Sequence, residues 1–136
     1  MRLTLMFAGA LPFVAGAVVA GFGLSLPAPL SAWPEWYRAY TLVIGSFMAG
    51  TLWQSPVVSG AAPQTGLLII SNIAALGLWV ATGLLGLSAF LICAALVVAG
   101  LLICDYQRGL EPGYLQARMA VSVIVCACLI IVAVSL

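Results

Sequence analysis

An uninterrupted apolar run from Gly66 to Cys104 constrains the fold of this chain more than any other sequence feature. The run is 39 residues long and contains no charged residue. About 20 residues of α-helix span the hydrocarbon core of a bilayer, so the run is too long for a single crossing. Two crossings joined by a tight turn near Gly83 and Gly86 fit its length. The sequence therefore predicts a transmembrane helical hairpin.

Charged side chains are too scarce in the whole chain for a soluble fold. Of the 136 residues, 65% are hydrophobic and 5% are charged, and the formal net charge is +1. A soluble domain carries about 25% charged residues, and a domain of this length leaves roughly a third of its surface in water. Four arginines and three acidic residues cannot cover that surface. We therefore expect a membrane protein whose surroundings include the lipid bilayer.

Prolines and a charged segment divide the rest of the chain. Pro27 and Pro29 end the first apolar segment, because proline cannot continue a helix. Residues 105–118 hold four of the seven charges and are predicted to form a loop. The predicted fold is all-α: one domain, residues 1–136, forming a polytopic membrane bundle of five transmembrane helices. Four helices with one re-entrant segment are the alternative. The predicted spans are about 3–26, 35–54, 66–84, 86–104 and 119–136.

The arginine positions predict the orientation of these spans. With five crossings, Arg2, Arg108 and Arg118 lie on one side of the membrane, and Arg38 lies on the other. Arginine is enriched in cytoplasmic loops. We therefore expect the N-terminus on the cytoplasmic side and the C-terminus on the opposite side.

Missing residue types exclude several kinds of chemistry. The chain has no histidine and no lysine, so it cannot build a Ser-His-Asp or Cys-His nucleophile by itself. Four scattered arginines do not form the basic surface that nucleic acid requires. The four cysteines include no Cys-x-x-Cys pair of the kind typical of zinc or redox sites. We expect no catalytic residue, cofactor or metal, no nucleic-acid partner and no enzyme activity.

Asp105 and Arg118 are predicted to pair at the inner interface of one helical hairpin. An acid and an arginine placed there spare each other an unpartnered charge near hydrocarbon. The favoured interpretation is a structural clamp between the last two spans. The alternative is a polar site for a lipid head group, an ion or a partner loop.

Asn72 is the main polar residue predicted inside the membrane. Lipid offers an amide no hydrogen-bond partner, so we expect a bond to a neighbouring helix, with Ser46 or Ser122 as candidate partners. A translocation site is the alternative. Pro12 is predicted to kink the first span, with the freed carbonyl bonded by a neighbouring helix.

Four aromatic residues cluster where the second span begins. Aromatic side chains are enriched at membrane interfaces because one end of the ring is apolar and the other is wet. We interpret the cluster as an interfacial anchor in preference to a ligand cage. Its members are Trp33, Trp36, Tyr37 and Tyr40.

Two groups of residues resemble the landmarks of a known family. The first group is Tyr40, Ile44, Ser46, Phe47, Gly50 and Trp53. The second group is Asp105, Arg108, Tyr114 and Arg118. From Tyr40 to the C-terminus the chain is similar to a domain-of-unknown-function family of small inner-membrane proteins, which includes mitochondrial transmembrane protein sixty-nine. The resemblance implies location in a bacterial or mitochondrial inner membrane and supplies no activity.

The expected function is structural. A small bundle with few titratable groups and many small residues suits an accessory or assembly subunit of a larger membrane protein complex. Other membrane protein subunits are therefore the expected partners. The alternative function is a transporter or a lipid-binding membrane protein.

Overall fold

The computed structural model describes residues 2–51, 65–107 and 112–136, and every regular element in these ranges is helical. Two short helices come first, followed by a single 3₁₀ turn and four longer helices. In chain order they are α1 (Arg2–Ala8), α2 (Leu11–Gly21), the 3₁₀ turn (Leu30–Ala32), α3 (Trp33–Gly50), α4 (Thr65–Leu84), α5 (Leu87–Gln107) and α6 (Pro112–Ser135). The predicted all-α class is confirmed for this part of the chain.

Among the residues that the structure describes, three helical stretches are long and apolar enough to cross a membrane: Thr4–Gly21, Leu87–Gln107 and Pro112–Ser135. The first stretch includes α1 and α2, and the other two are α5 and α6. A shorter apolar helix covers Leu68–Leu84 within α4. Helices of this length and composition make the chain a membrane protein.

The first apolar segment is broken where Pro12 predicts a kink. Proline lacks an N–H group, and its ring clashes with the carbonyl four residues earlier. In agreement with this geometry, α1 ends at Ala8 and α2 begins at Leu11. The segment also ends earlier than the predicted residue 26. Gly23 has a φ of 61°, a left-handed conformation that glycine adopts at little cost and that stops the helix.

The charged loop predicted over residues 105–118 is wrong for most of its length. Helix α5 continues to Gln107, and α6 begins at Pro112. Proline suits the first position of a helix, where its missing N–H leaves no intrahelical bond unmade. Both Asp105 and Arg118 therefore lie within helices, and the charges do not mark a long loop.

Helices α5 and α6 form an antiparallel hairpin at the centre of the fold. Asp105 contacts Arg118 near one end, and Cys126 contacts Ala95 further along. Helix α6 also packs against α1 and α2, whereas α3 packs against α4 and α5. The predicted tight turn is present, since α4 ends at Leu84 and α5 begins at Leu87. The largest fully buried apolar side chains are Phe13, Leu78, Phe90, Leu91, Leu101 and Leu129.

Candidate functional site

A buried ion pair joins the two helices of the α5–α6 hairpin, as the sequence predicts. The Arg118 guanidinium donates from Nε and Nη2 to Oδ2 of Asp105, at 2.9 Å and 2.6 Å. Asp105 is 1% exposed and Arg118 is 7% exposed. Two charges this deeply buried require each other, because an unpaired charge in such surroundings is strongly destabilising.

Neighbouring side chains enclose most of the ion pair between Asp105 and Arg118. The Tyr114 ring, one turn before Arg118 on α6, lies 5.9 Å from the guanidinium carbon. Ser122, one turn after Arg118, is also buried, and its hydroxyl has no hydrogen-bond partner among the described residues. Charges that neutralise each other in an enclosed place suit the clamp between helices better than an ion-binding site.

The prediction that Asn72 bonds to a neighbouring helix is wrong. Asn72 is exposed, and its Nδ2 donates to the carbonyl of Leu68 in its own helix, at 2.9 Å. The adjacent Ser71 is the residue that faces inward, and its hydroxyl donates to the Ala49 carbonyl of α3 at 2.7 Å. Successive helix residues differ by about 100° in direction, so one position decides which side chain reaches α3.

Asn72 lies in the middle of an apolar surface that we call the outer face of α4. The other members of this face are between 53% and 66% exposed. The outer face of α4 consists of Ile69, Asn72, Ile73, Leu76 and Trp79. Its apolar composition suits lipid or another helix. The Asn72 amide can both donate and accept hydrogen bonds, whereas the Trp79 indole N–H on the same face can only donate.

Arg38 has a structural role that sequence reasoning missed. Its Nη1 donates to the carbonyls of Thr82 and Leu85, at 2.6 Å and 3.1 Å. The guanidinium carbon also lies 5.3 Å from the centre of the Phe90 ring. A cation placed at a helix C-terminus satisfies free carbonyls and interacts favourably with the helix dipole. The available signal was an arginine on the same predicted side as the turn between α4 and α5.

Two of the remaining candidate residues, Tyr40 and Ser46, lie on α3. The Tyr40 hydroxyl donates to the Gly9 carbonyl at the break between α1 and α2, at 2.8 Å. This bond lies beside the carbonyl of Ala8, the one that Pro12 is expected to free. Ser46 is half-buried on α3. Trp53 and Arg108 lie outside the described residues.

The cysteines form no cluster with other possible ligands in the described part of the chain. All four are free thiols, and the Cys126 thiol donates to the Ala95 carbonyl at 3.5 Å. Within residues 2–51, 65–107 and 112–136, no three Cys, Asp or Glu residues come together in a way that could hold a metal.

A family model described as Protein of unknown function (DUF3429) matches residues 1–134. The chain belongs to this family. The DUF3429 match begins well before Tyr40, where the resemblance found from the sequence begins, so α1 and α2 are part of the family domain. All the candidate residues lie within it as well. No curated protein and no solved structure matches the chain.

Proposed function

We propose that this DUF3429 protein is an accessory or assembly subunit that packs against a larger membrane protein complex through the outer face of α4. The observation that carries the proposal is the exposed amide of Asn72 within an apolar helix surface. The partner expected on this surface is a transmembrane helix with a polar side chain among apolar ones.

The depth of Asn72 supports a protein partner. Asn72 is seven residues from the start of α4, about 10 Å along the helix axis. The bond from Nδ2 to Leu68 leaves the amide with a second N–H and with acceptor capacity. Lipid cannot satisfy these groups. A hydrogen bond from such an amide to another transmembrane helix contributes about 1 kcal/mol to association.

The interior of the bundle gives less support to a transporter. Pumps and transporters place ionisable groups along an intramembrane path. The buried polar or charged side chains in the described residues are Thr41, Ser71, Asp105, Arg118 and Ser122. Both charges in this set are used in one ion pair, and Asn72 faces outward, so no chain of polar groups leads through these helices.

We further infer five crossings: α1 with α2, then α3, α4, α5 and α6. Support comes from the antiparallel contacts of α3 with α4, where Arg38 reaches Thr82 and Ser71 reaches Ala49. Arg38 then lies at the end of the bundle opposite Arg118, which agrees with a cytoplasmic N-terminus under the positive-inside rule. We propose an inner membrane, bacterial or mitochondrial, and kinship with mitochondrial transmembrane protein sixty-nine, on the sequence landmarks that include Tyr40 and Asp105.

Site-specific photocrosslinking in native membranes tests the proposed surface. A photoreactive residue at Leu76, on the outer face of α4, is compared with the same residue at Leu96 on α5, which is 70% exposed. We expect Leu76 to give a discrete adduct with one membrane protein, and Asn72→Leu to weaken that adduct while Asn72→Gln preserves it. Equal lipid adducts at both positions, with no effect of Asn72→Leu, would contradict the proposal.

A further inference from the structure

A groove of about 330 Å³ lies between α2 and α3, away from the ion pair and from the outer face of α4. One wall is the aromatic cluster of α3, spaced so that all four rings lie on one helix face. The members of this wall are Trp33, Trp36, Tyr37 and Tyr40. The opposite wall is α2, which contributes small residues that include Ala15 and Gly16.

Ring packing fixes the shape of the groove. A side chain at Gly16 would collide with the Tyr37 ring, so this ring lies directly against the α2 backbone. Tyr37 makes edge contacts with Phe13 and Trp33, with ring centres 5.8 Å and 6.0 Å apart. Edge-to-face pairs of this kind are favourable beyond the area that they bury. The aromatic wall is therefore held in place by the fold.

Neither tyrosine hydroxyl of the wall is available to form a hydrogen bond with a molecule in the groove. The Tyr40 hydroxyl is bonded to the Gly9 carbonyl. The Tyr37 hydroxyl is fully enclosed and has no hydrogen-bond partner among the described residues. The tyrosines therefore present their ring surfaces to the groove, alongside the aliphatic groups of α2. The groove suits hydrocarbon and not a charged or strongly polar ligand.

We propose that the groove binds one acyl chain of a membrane phospholipid. The groove is partly open at the surface of the bundle, and an unfilled apolar space forfeits dispersion contacts along its walls. The tyrosine hydroxyls offer an occupant no hydrogen bond, so a polar side chain of a neighbouring helix would gain none from them here. A hydrocarbon chain needs only apolar contacts and can enter from the lipid.

The lipid head group lies where the aromatic wall begins. Trp36 is 55% exposed at the edge of the groove, and Trp33 begins α3. Indole rings prefer the level of the head groups. The acyl chain then extends from this level along α3 toward Tyr40. This site is independent of the proposed docking surface on α4, so either can exist without the other.

Fluorescence quenching by brominated lipid tests the site in the full-length protein. Trp33 is kept as the single reporter, with Trp36, Trp53 and Trp79 changed to Phe. The protein is placed in phosphatidylcholine vesicles with and without brominated acyl chains. Ala15→Phe fills the groove, and the matched control Val18→Phe places the same ring on an exposed part of α2 outside the groove.

We expect brominated lipid to quench Trp33, Ala15→Phe to abolish most of this quenching, and Val18→Phe to leave it unchanged. Equal quenching in all three proteins, or none in the parent, would overturn the proposal. Native mass spectrometry of the wild-type protein supplies a second readout that does not depend on folding of the Ala15 variant. One phospholipid retained after detergent exchange is expected, whereas the absence of a phospholipid adduct would contradict the site.

Discussion

The α5–α6 hairpin and the α3–α4 pair use polar groups in opposite ways. In α5–α6 the polar groups are two side chains of opposite charge, Asp105 and Arg118, which neutralise each other inside the bundle. In α3–α4, Arg38 and Ser71 donate to backbone carbonyls of the facing helix. Helix α4 also carries Asn72 on its exposed side. The first pair of helices is closed around its polar groups, whereas the second retains one that can contact a partner.

This difference indicates how a chain with few charged residues can use one pair of helices for stability and another for contact with a partner. A buried charge pair fixes the relative position of two helices, because neither partner tolerates the loss of the other. Helices α3 and α4 are held together by hydrogen bonds from side chains to backbone, each of which contributes less to stability. We therefore assign stability mainly to the α5–α6 hairpin, and the proposed partner contact lies on α4. The following predictions test that contrast in order of decreasing expected effect.

The largest effect is expected when the ion pair loses one partner. Asp105→Ala leaves the Arg118 guanidinium buried without its partner, and we expect destabilisation of about 3–5 kcal/mol. Arg118→Ala removes the two hydrogen bonds that Asp105 accepts from the guanidinium, and we expect a loss of the same order. Thermal unfolding in detergent, followed by circular dichroism, measures both changes.

The double variant of Asp105 and Arg118 controls for unrelated damage. If the side chains act as a pair, the double variant should lose less stability than the sum of the two single changes. Strict additivity would mean that the pair does not stabilise the hairpin and would remove the contrast between the two regions.

An intermediate effect is expected at the end of α4. Arg38→Ala removes the cation that bonds the carbonyls of Thr82 and Leu85. A favourable charge at a partly buried helix C-terminus contributes up to about 2 kcal/mol, so we expect a loss of roughly 1–2 kcal/mol. Arg38→Lys should recover part of it, because it keeps the charge but not the guanidinium geometry. Hydrogen exchange at the last turn of α4 provides a local readout, and unchanged protection in Arg38→Ala would contradict the capping role.

The smallest effect is expected at the contact between α3 and α4. Ser71→Ala removes the bond to the Ala49 carbonyl, and interhelical bonds of this kind contribute about 0.6 kcal/mol. Ser122→Ala is a matched control, since its buried hydroxyl has no partner among the described residues. We expect Ser122→Ala to be neutral or stabilising in the same thermal assay. A larger loss at Ser122 than at Ser71 would reverse this assignment.

The sequence predicted the pairing of two opposite charges and the break at a proline, and it missed the contacts that depend on helix rotation or on backbone acceptors. Asp105 and Arg118 could be paired because few opposite charges lie near one another in the chain. Pro12 predicted the break that ends α1 at Ala8. The loop predicted over residues 105–118 was too long, because charged residues that pair with each other, such as Asp105 and Arg118, can lie within helices.

Other features have no comparable sequence signal. Successive residues of a helix point about 100° apart. Whether Asn72 or Ser71 points toward α3 therefore depends on how α4 is rotated about its axis, which the sequence does not show. The acceptors of Arg38 are backbone carbonyls, which every residue possesses and which therefore leave no mark in the sequence. The groove between α2 and α3 also depends on how two helices approach, although its aromatic residues were recognised as an interfacial cluster.

The most direct test of the proposed division of tasks measures assembly and stability together in Asn72→Leu. The protein is extracted from native membranes in mild detergent, separated on native gels, and its thermal stability is measured after purification. We predict that on native gels Asn72→Leu moves the protein from the band of a larger complex to the band of the free protein. The Tm of the purified variant should equal that of the wild-type protein. Ile73→Leu, on the same face, is the matched control and should leave both measurements unchanged. A wild-type protein that migrates as a lone monomer, or an Asn72→Leu variant that assembles normally, would contradict the role of α4.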